Sequence, residues 1–159
     1  MILGKNGIHQ AYRTGKGKIR VRAVSNIESL PNGRQRIIVT ELPYQVNKKA
    51  LVESIADLVK TKRVEGLSDI ADHSSDRVGI RLEIFLKRDA NPHVVLNQLY
   101  KYTDMQSTCS AIMIALVNNV PKVLNLKEML EHYVAHQEDV VERRVKYDLA
   151  KAVAEMHIF

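Results

Sequence analysis

The sequence predicts an α+β fold: a two-layer sandwich with a basic β-hairpin, followed by a long C-terminal helix that projects from it. Three observations predict this. Glycine and proline punctuate the chain as far as Pro121 and are absent from the 38 residues after it, a silence that fits one long helix. Ahead of Pro121, period-two and helical spacings follow in the order strand–helix–strand–strand–helix–strand, the split pattern of a two-layer sandwich. Ahead of those, two short strand-like runs flank a turn signal and read as a hairpin.

Each element has its own warrant. Asn6 to Thr14 reads as a short helix ended by Gly15 and Gly17. Lys18 to Ala23 alternates strictly, with Lys18, Arg20 and Arg22 on one side and Ile19, Val21 and Ala23 on the other, as in a half-buried strand. Leu30-Pro31-Asn32-Gly33 is a turn signal, and Arg34 to Glu41 is the expected return strand. Pro43 holds Leu42 extended. Asn47 caps a helix whose stripe is Ala50, Leu51, Ile55, Leu58 and Val59. Gly66 to Ala71 is a short strand, Asp72 to Asp76 a polar loop, and Arg77 to Lys87 a strand. Asn91 caps a second helix with Pro92 at its favoured first position. Ala111 to Val117 is a strand, with Val120 to Leu124 pairing back across Asn118-Asn119. From Asn125 an apolar stripe runs through Leu126, Leu130, Tyr133, Val134, Val140, Val141, Val145, Leu149, Ala152, Val153 and Met156. A helix of ~33 residues would span roughly 50 Å, and its stripe needs a partner. The expected division is therefore 1–124 for the sandwich and 125–159 for the first part of a coiled-coil helix. Phe159 interrupts the pattern without a C-cap, as expected of a piece cut inside a longer helix.

Composition narrows the class. The chain has 159 residues, 45% hydrophobic and 26% charged, which excludes wholesale disorder. Its single cysteine, Cys109, excludes an intramolecular disulfide and fits a reducing compartment. No apolar run approaches the ~20 residues of a membrane helix, and Met1 to Gly17 lacks a signal-peptide core. The expectation is a soluble intracellular protein with no membrane partner.

Few residues carry catalytic signals. His132 and His136 stand four apart on the long helix, but Tyr133 occupies the place where a zinc-protease pattern needs glutamate. Gly15-Lys16-Gly17-Lys18 lacks the flanks of a phosphate loop. Cys109 reads as a buried small hydrophobe. Asp69, Asp72 and Asp76 lack calcium-loop spacing and read as loop solvation. Tyr102, between Lys101 and Thr103, reads as a packing tyrosine rather than a nucleophile. No catalytic residue, cofactor site or metal site is assigned.

Charge is the informative feature. The net charge is +6, yet residues 1–36 alone hold eight bases and one acid, and the other 123 residues are nearly balanced. Such segregation is a footprint for a polyanion, although a solvated basic face would have the same composition. The candidate DNA-contacting residues are Arg13, Lys16, Lys18, Arg20, Arg22, Arg34 and Arg36. Arginines and lysines on adjacent strands repel unless an anion or solvent screens them, and they suit the phosphate backbone. No aromatic residue lies between positions 15 and 43, which favours a duplex over a stacked single strand.

Several runs resemble one family. Gly7-Ile8-His9-Gln10-Ala11-Tyr12-Arg13-Thr14-Gly15-Lys16-Gly17 is similar to the lead-in to the tower region of bacterial DNA gyrase A subunits. Arg36-Ile37-Ile38-Val39-Thr40-Glu41-Leu42-Pro43-Tyr44-Gln45-Val46-Asn47-Lys48 is more specific. So is Lys87-Arg88-Asp89-Ala90-Asn91, continuing to Leu96-Asn97-Gln98-Leu99-Tyr100. Ile114-Ala115-Leu116-Val117, Pro121-Lys122 and Leu126-Lys127-Glu128 follow in the right order. The sister enzyme, topoisomerase IV, shares the early motifs; the later ones, with His136, Gln137, Arg143 and Arg144, look more like gyrase. The resemblance implies an ATP-dependent type IIA topoisomerase, an isomerase that introduces negative supercoils by passing one duplex through another. It implies a tower that supports and bends the gate duplex and a coiled coil leading to the exit gate. It also implies a partner B subunit that supplies ATP and Mg2+ binding, a second A subunit, and a bacterial cytoplasmic, nucleoid-associated setting. The family's catalytic tyrosine belongs to a winged-helix domain outside the matched segment, so this piece alone is expected to be inactive. A topoisomerase IV fragment, a stand-alone DNA-binding module and a scaffold that binds nothing are the rival readings.

Overall fold

Three asparagine caps and a series of close backbone approaches set the elements. The computed structural model describes residues 1–157. In chain order they form α1 (Asn6–Thr14), β1 (Lys16–Arg22), β2 (Val24–Ser29), β3 (Gln35–Glu41), α2 (Lys48–Thr61), β4 (Leu67–Asp72), β5 (Leu82–Leu86), α3 (Pro92–Tyr102), β6 (Gln106–Ile112), β7 (Ile114–Val117), β8 (Val120–Val123) and α4 (Leu126–Met156). The fold is α+β, as the sequence predicts. Asn47 Oδ1 accepts from the Ala50 N–H at 3.1 Å, and Asn91 Oδ1 from the His93 N–H at 3.0 Å. Each satisfies one of the donors that a helix start leaves unpaired. Asn125 and Glu128 exchange side-chain-to-backbone bonds of 2.9 Å in a capping box at the start of α4.

The chain divides into two compact units, one of Met1–Lys5 with Ile19–Cys109, the other of Asn6–Lys18 with the chain from Ser110 onward. The expected division at residue 124 therefore differs from the observed grouping, in which α1 and the β7–β8 hairpin belong with α4. Close backbone contact is the reason. The Met113 N–H donates to the Gly15 carbonyl at 2.8 Å, and the Leu124 N–H donates to the Met113 carbonyl at 3.0 Å. A Cβ at Gly15, where φ is +78°, would stand 2.6 Å from the Leu124 carbonyl oxygen. The last two residues of the expected 125–159 segment, and with them the expected cut at Phe159, lie outside the described residues.

In the first unit an antiparallel sheet has the order β2-β3-β5-β4. Ile37 faces Ile84 and Val39 faces Leu82, and these four are fully buried with Leu86. Leu51, Ile55 and Leu58 of α2 and Val95 and Leu99 of α3 join the same core. Each such side chain contributes ~1.5–3 kcal/mol when fully buried.

Three strand expectations need correction. The hairpin is β2–β3, with Ile27 opposite Ile37 and Glu28 opposite Arg36. The basic strand β1 is not part of it and pairs with β6. Buried Ala23 separates β1 from β2, its N–H donating to the Met105 carbonyl at 2.8 Å. The split sandwich pattern is likewise modified: β2, not the last strand, takes the edge beside β3. Finally, the strand expected over Arg77 to Lys87 begins only at Leu82, because Ser75 and Gly79 bond reciprocally through their backbones and Gly79 takes a φ of +77°.

In the second unit, the strand expected over Ala111 to Val117 is β6 and β7, interrupted at Met113 where the backbone turns to Gly15 and Leu124. β7 and β8 pair across Asn118-Asn119, whose φ values of 51° and 63° suit the two-residue turn that matches strand twist. α4 has 31 residues, none buried, and Leu130, Val134, Val141, Val145, Leu149 and Val153 of its stripe are exposed. Asp139–Arg143 and Glu142–Lys146 are ion pairs four residues apart with the acid first, each worth only ~0.2–0.5 kcal/mol. Among the described residues no helix is long and apolar enough to cross a membrane.

Two outcomes are expected. Asp72 accepts from Lys48 Nζ at 2.8 Å and from the Ser74 N–H at 2.9 Å. The Lys48 bond first, then Ser74, lower its pKa from 3.8 to about 2. A depressed carboxyl pKa stabilises the fold above the unfolded value, and that contribution is lost as the pH falls from about 4 to about 2. Asp72→Asn should therefore cost a small amount at pH 6, below ~1 kcal/mol for so exposed a pair. The difference from the unsubstituted chain should be much smaller at pH 2 and vanish below it; urea melts at pH 6 and pH 2 test this, and an equal difference at both would contradict it. In α4, amides from Leu149 to His157 should exchange with an opening free energy near ~0 kcal/mol, against strong protection in β3 and β5. Hydrogen exchange at low protein concentration reads this directly, and equal protection at both places would contradict it.

Candidate nucleic-acid interface

The seven cations singled out in the sequence fall into two chemical states. In the unit containing α4, Arg13 is exposed in the last turn of α1, where positive charge complements the helix dipole. Lys16 and Lys18 are exposed on β1 and flank buried Gly17. A Cβ at Gly17 would stand against the Gly7 carbonyl oxygen and 2.8 Å from the Ala11 Cβ. The glycine thus lets α1 lie directly on the inner face of the strand, and alternation turns both lysines outward.

In the sandwich unit, Arg20 is exposed and Arg34 is exposed at the end of the β2–β3 turn. Arg34 is positioned by its own backbone N–H, which donates to Asn32 Oδ1 at 3.1 Å. Arg22 and Arg36, by contrast, are engaged inside the unit. Nε and Nη2 of Arg22 both donate to Gln106 Oε1, at 3.0 and 2.6 Å, and its guanidinium lies 4.1 Å from the centroid of the Tyr100 ring. Arg36 donates through Nη1 to Glu83 at 3.1 Å, and through Nε and Nη2 to Glu28 at 3.2 and 2.9 Å. The repulsion expected between neighbouring basic strands is therefore absent: the residue facing Arg36 across the hairpin is Glu28, and β1 lies in another sheet.

Glu83 organises this region. It is the buried charged side chain of the sheet, 8% exposed, and it also accepts from Arg81 Nε at 2.9 Å, with His73 Nε2 at 3.7 Å. Taking a carboxylate out of water costs several kcal/mol unless partners compensate it. Arg36 and Arg81, only 22% and 33% exposed, supply that compensation. Arg13, Lys16, Lys18, Arg20 and Arg34 form no ion pair among the described residues. Their charge faces water and remains available to a phosphate.

The remaining sequence candidates have structural surroundings. Tyr102 sits between cations, with Arg63 at 4.7 Å and Lys101 at 5.3 Å from its ring centroid. Asp69 accepts from the Ile70 N–H and Asp72 pairs with Lys48. His132 and His136 are exposed on α4. Cys109, expected to be buried, is half-buried on β6, because the alternation of that strand gives its inner side only partial cover. Among the described residues no group of three histidine, cysteine or acidic side chains could hold a metal ion.

Comparison with known proteins agrees with the sequence motifs. Residues 1–159 match the family of DNA gyrase/topoisomerase IV A subunits. The DNA gyrase A subunit of Clostridium acetobutylicum is 58% identical over 158 residues, 99% of this chain and 19% of the relative. Those of Staphylococcus epidermidis and Staphylococcus aureus are 50% and 51% identical over the same length, which is 18% of each. The chain thus spans about a fifth of the curated relatives it matches. Matched from end to end at this level of identity, it belongs to the family of DNA gyrase/topoisomerase IV A subunits.

Proposed function

We propose that this chain is the tower segment of a DNA gyrase A subunit, with the first part of its coiled-coil helix. In this reading it supports and bends the flanks of the gate duplex and carries motion toward the exit gate. The observation that carries the reading is the full-length match to gyrase A subunits, together with five exposed cations that no acid neutralises. The curated relatives above are gyrase subunits, which favours gyrase over topoisomerase IV. A match to only a fifth of each relative favours a segment of a larger polypeptide over a stand-alone module. The whole enzyme would be an ATP-dependent isomerase of bacterial cytoplasm, built from paired A and B subunits. Magnesium and ATP would be held by the B subunit.

The contribution of the segment is mechanical. Bending a duplex of ~20–30 bp through a large angle costs of order 1–6 kcal/mol. Cations that meet phosphates release condensed counterions and offset that cost, without regard to base sequence. The exposed cations of the two units fit this task, and the engaged pair Arg22 and Arg36 fits a supporting one.

Binding to a mixed-sequence duplex should weaken linearly in log K against log salt. Lys16→Ala with Lys18→Ala should flatten the slope by about 1.8, from ~0.9 per phosphate. Arg22→Ala should leave the slope nearly unchanged and lower stability by ~1–3 kcal/mol, because it removes two bonds from a charged donor. Titrations at several salt concentrations, paired with urea melts, separate the two effects; the reverse assignment would move the contact away from β1. A second expectation concerns chemistry. Mixed with the B subunit, ATP and magnesium, the 159-residue chain should neither relax nor supercoil plasmid DNA. Activity that disappears in Tyr102→Phe would defeat the reading.

A further inference from the structure

We infer that a second phosphate-backbone contact lies at the tip of the sandwich sheet, formed by Arg34, Lys87 and Arg88; this rests on the duplex-binding reading and assigns it residues that lie far apart in sequence. β3 and β5 are antiparallel with Arg36 opposite Phe85. Arg34 directly precedes β3 and Lys87 directly follows β5, so both stand just beyond this end of the ladder, where the β2–β3 turn and the loop into α3 begin. That loop is fixed by the Lys87 N–H donating to the Gly66 carbonyl at 2.8 Å and the Ala90 N–H to the Lys87 carbonyl at 3.2 Å. The turn is fixed by the Leu30 N–H donating to the Arg34 carbonyl at 2.7 Å and the Gly33 N–H to the Leu30 carbonyl at 3.1 Å. Arg88 joins the two: its Nη2 donates to the Asn32 carbonyl at 3.2 Å, while the Asn32 side chain accepts from the Arg34 N–H.

This arrangement differs from that of Arg36. The Arg36 guanidinium spends Nε, Nη1 and Nη2 on two carboxylates. Arg88 spends one of its five N–H donors on a neutral carbonyl, which holds the fork in place while leaving its charge uncompensated. All three cations are exposed, and none forms an ion pair among the described residues, although Asp89 is next in the chain. A held guanidinium between a second arginine and a lysine suits phosphate oxygens, which an arginine grips in two-pronged fashion. No large apolar or aromatic side chain is exposed in residues 30–34 or 87–90. The aromatic and large apolar anchors common in protein interfaces are therefore missing, and a polyanion fits better than an acidic protein.

The test measures equilibrium binding of the 159-residue chain to a short mixed-sequence duplex over a range of salt. Arg34→Gln, Lys87→Gln and Arg88→Gln together should flatten the log–log slope by about 2.7, one phosphate per cation. The single variants, which keep the fold testable if the triple one unfolds, should each flatten it by about 0.9. Circular dichroism checks the fold in every case. An unchanged slope in the folded triple variant, with Lys16→Ala and Lys18→Ala still flattening theirs, would overturn this assignment and leave the duplex reading standing. No salt-dependent binding by the unsubstituted chain would overturn both. Binding to poly-glutamate as tight as to the duplex, lost in the triple variant, would reassign the tip to an acidic protein partner and so also overturn it.

Discussion

A carboxylate withdrawn from water must be compensated, and the outer face of the sandwich sheet is arranged around that requirement at Glu83. Glu83 lies on β5, between β3 and β4, with its side chain only 8% exposed. Arg36 from β3 and Arg81 from the approach to β5 close on its two oxygens, and Glu28 from β2 accepts from Nε and Nη2 of Arg36. The strand order β2-β3-β5-β4 is what makes this possible, since it sets Glu28 opposite Arg36 and places Glu83, opposite Ile38, two residues along the next strand on a diagonal from Arg36. The positive charge of Arg36 is thus an internal component of the sheet. A function read from charge alone would have counted it as available.

A second constraint is steric and acts at the start of β1. Gly15 and Gly17 sit where a single added carbon would meet backbone, at Leu124 in one case and at Gly7 in the other. These approaches tie α1, β7–β8 and the start of α4 into one unit and fix the outward direction of Lys16 and Lys18. Position and availability of charge therefore have separate causes in the two units. In one it is decided by which arginines a buried acid requires, in the other by which face of a strand a glycine leaves open.

Most of the elements were legible because they rest on local chemistry. Asn47, Asn91 with Pro92, and Asn125 with Glu128 announce three helices through caps that need no distant partner. Asn118-Asn119 announces a hairpin because two consecutive positive φ values suit asparagine. The strand pairing was not legible. β2, reading Val-Ser-Asn-Ile-Glu-Ser, has too little alternation to show itself, and without it β1 looked like the partner of β3. Pairing is a choice among distant strands, decided by Ala23 bonding to Met105 and by the core beneath, and local periodicity carries no record of either. The same limit applies to the site. The excess of cations in residues 1–36 marks candidates for a polyanion contact, but the acids that engage Arg36 include one 47 residues away. The tip cluster joins Arg34 to Lys87 and Arg88 across a similar gap.

The distribution of charge also bears on what kind of work the segment can do. Groups that perform acid–base or nucleophilic chemistry are set in clefts beside a partner that tunes them. Here the buried carboxylate is saturated by arginines, and the carboxyl with the depressed pKa, Asp72, is exposed and held by Lys48 and a loop N–H. Tyr102 is accompanied by cations, and its ring packs against them at the end of α3. Each of these arrangements stabilises a surface or a sheet. What is left over, uncompensated and facing water, is a set of lysines and arginines on a helix end, a strand, a turn and a loop. In the function proposed above, the cations within each unit would each hold a stretch of a charged polymer and resist its elastic recoil. That is the requirement a bent duplex imposes, and it asks nothing of the side chains beyond charge, position and stiffness.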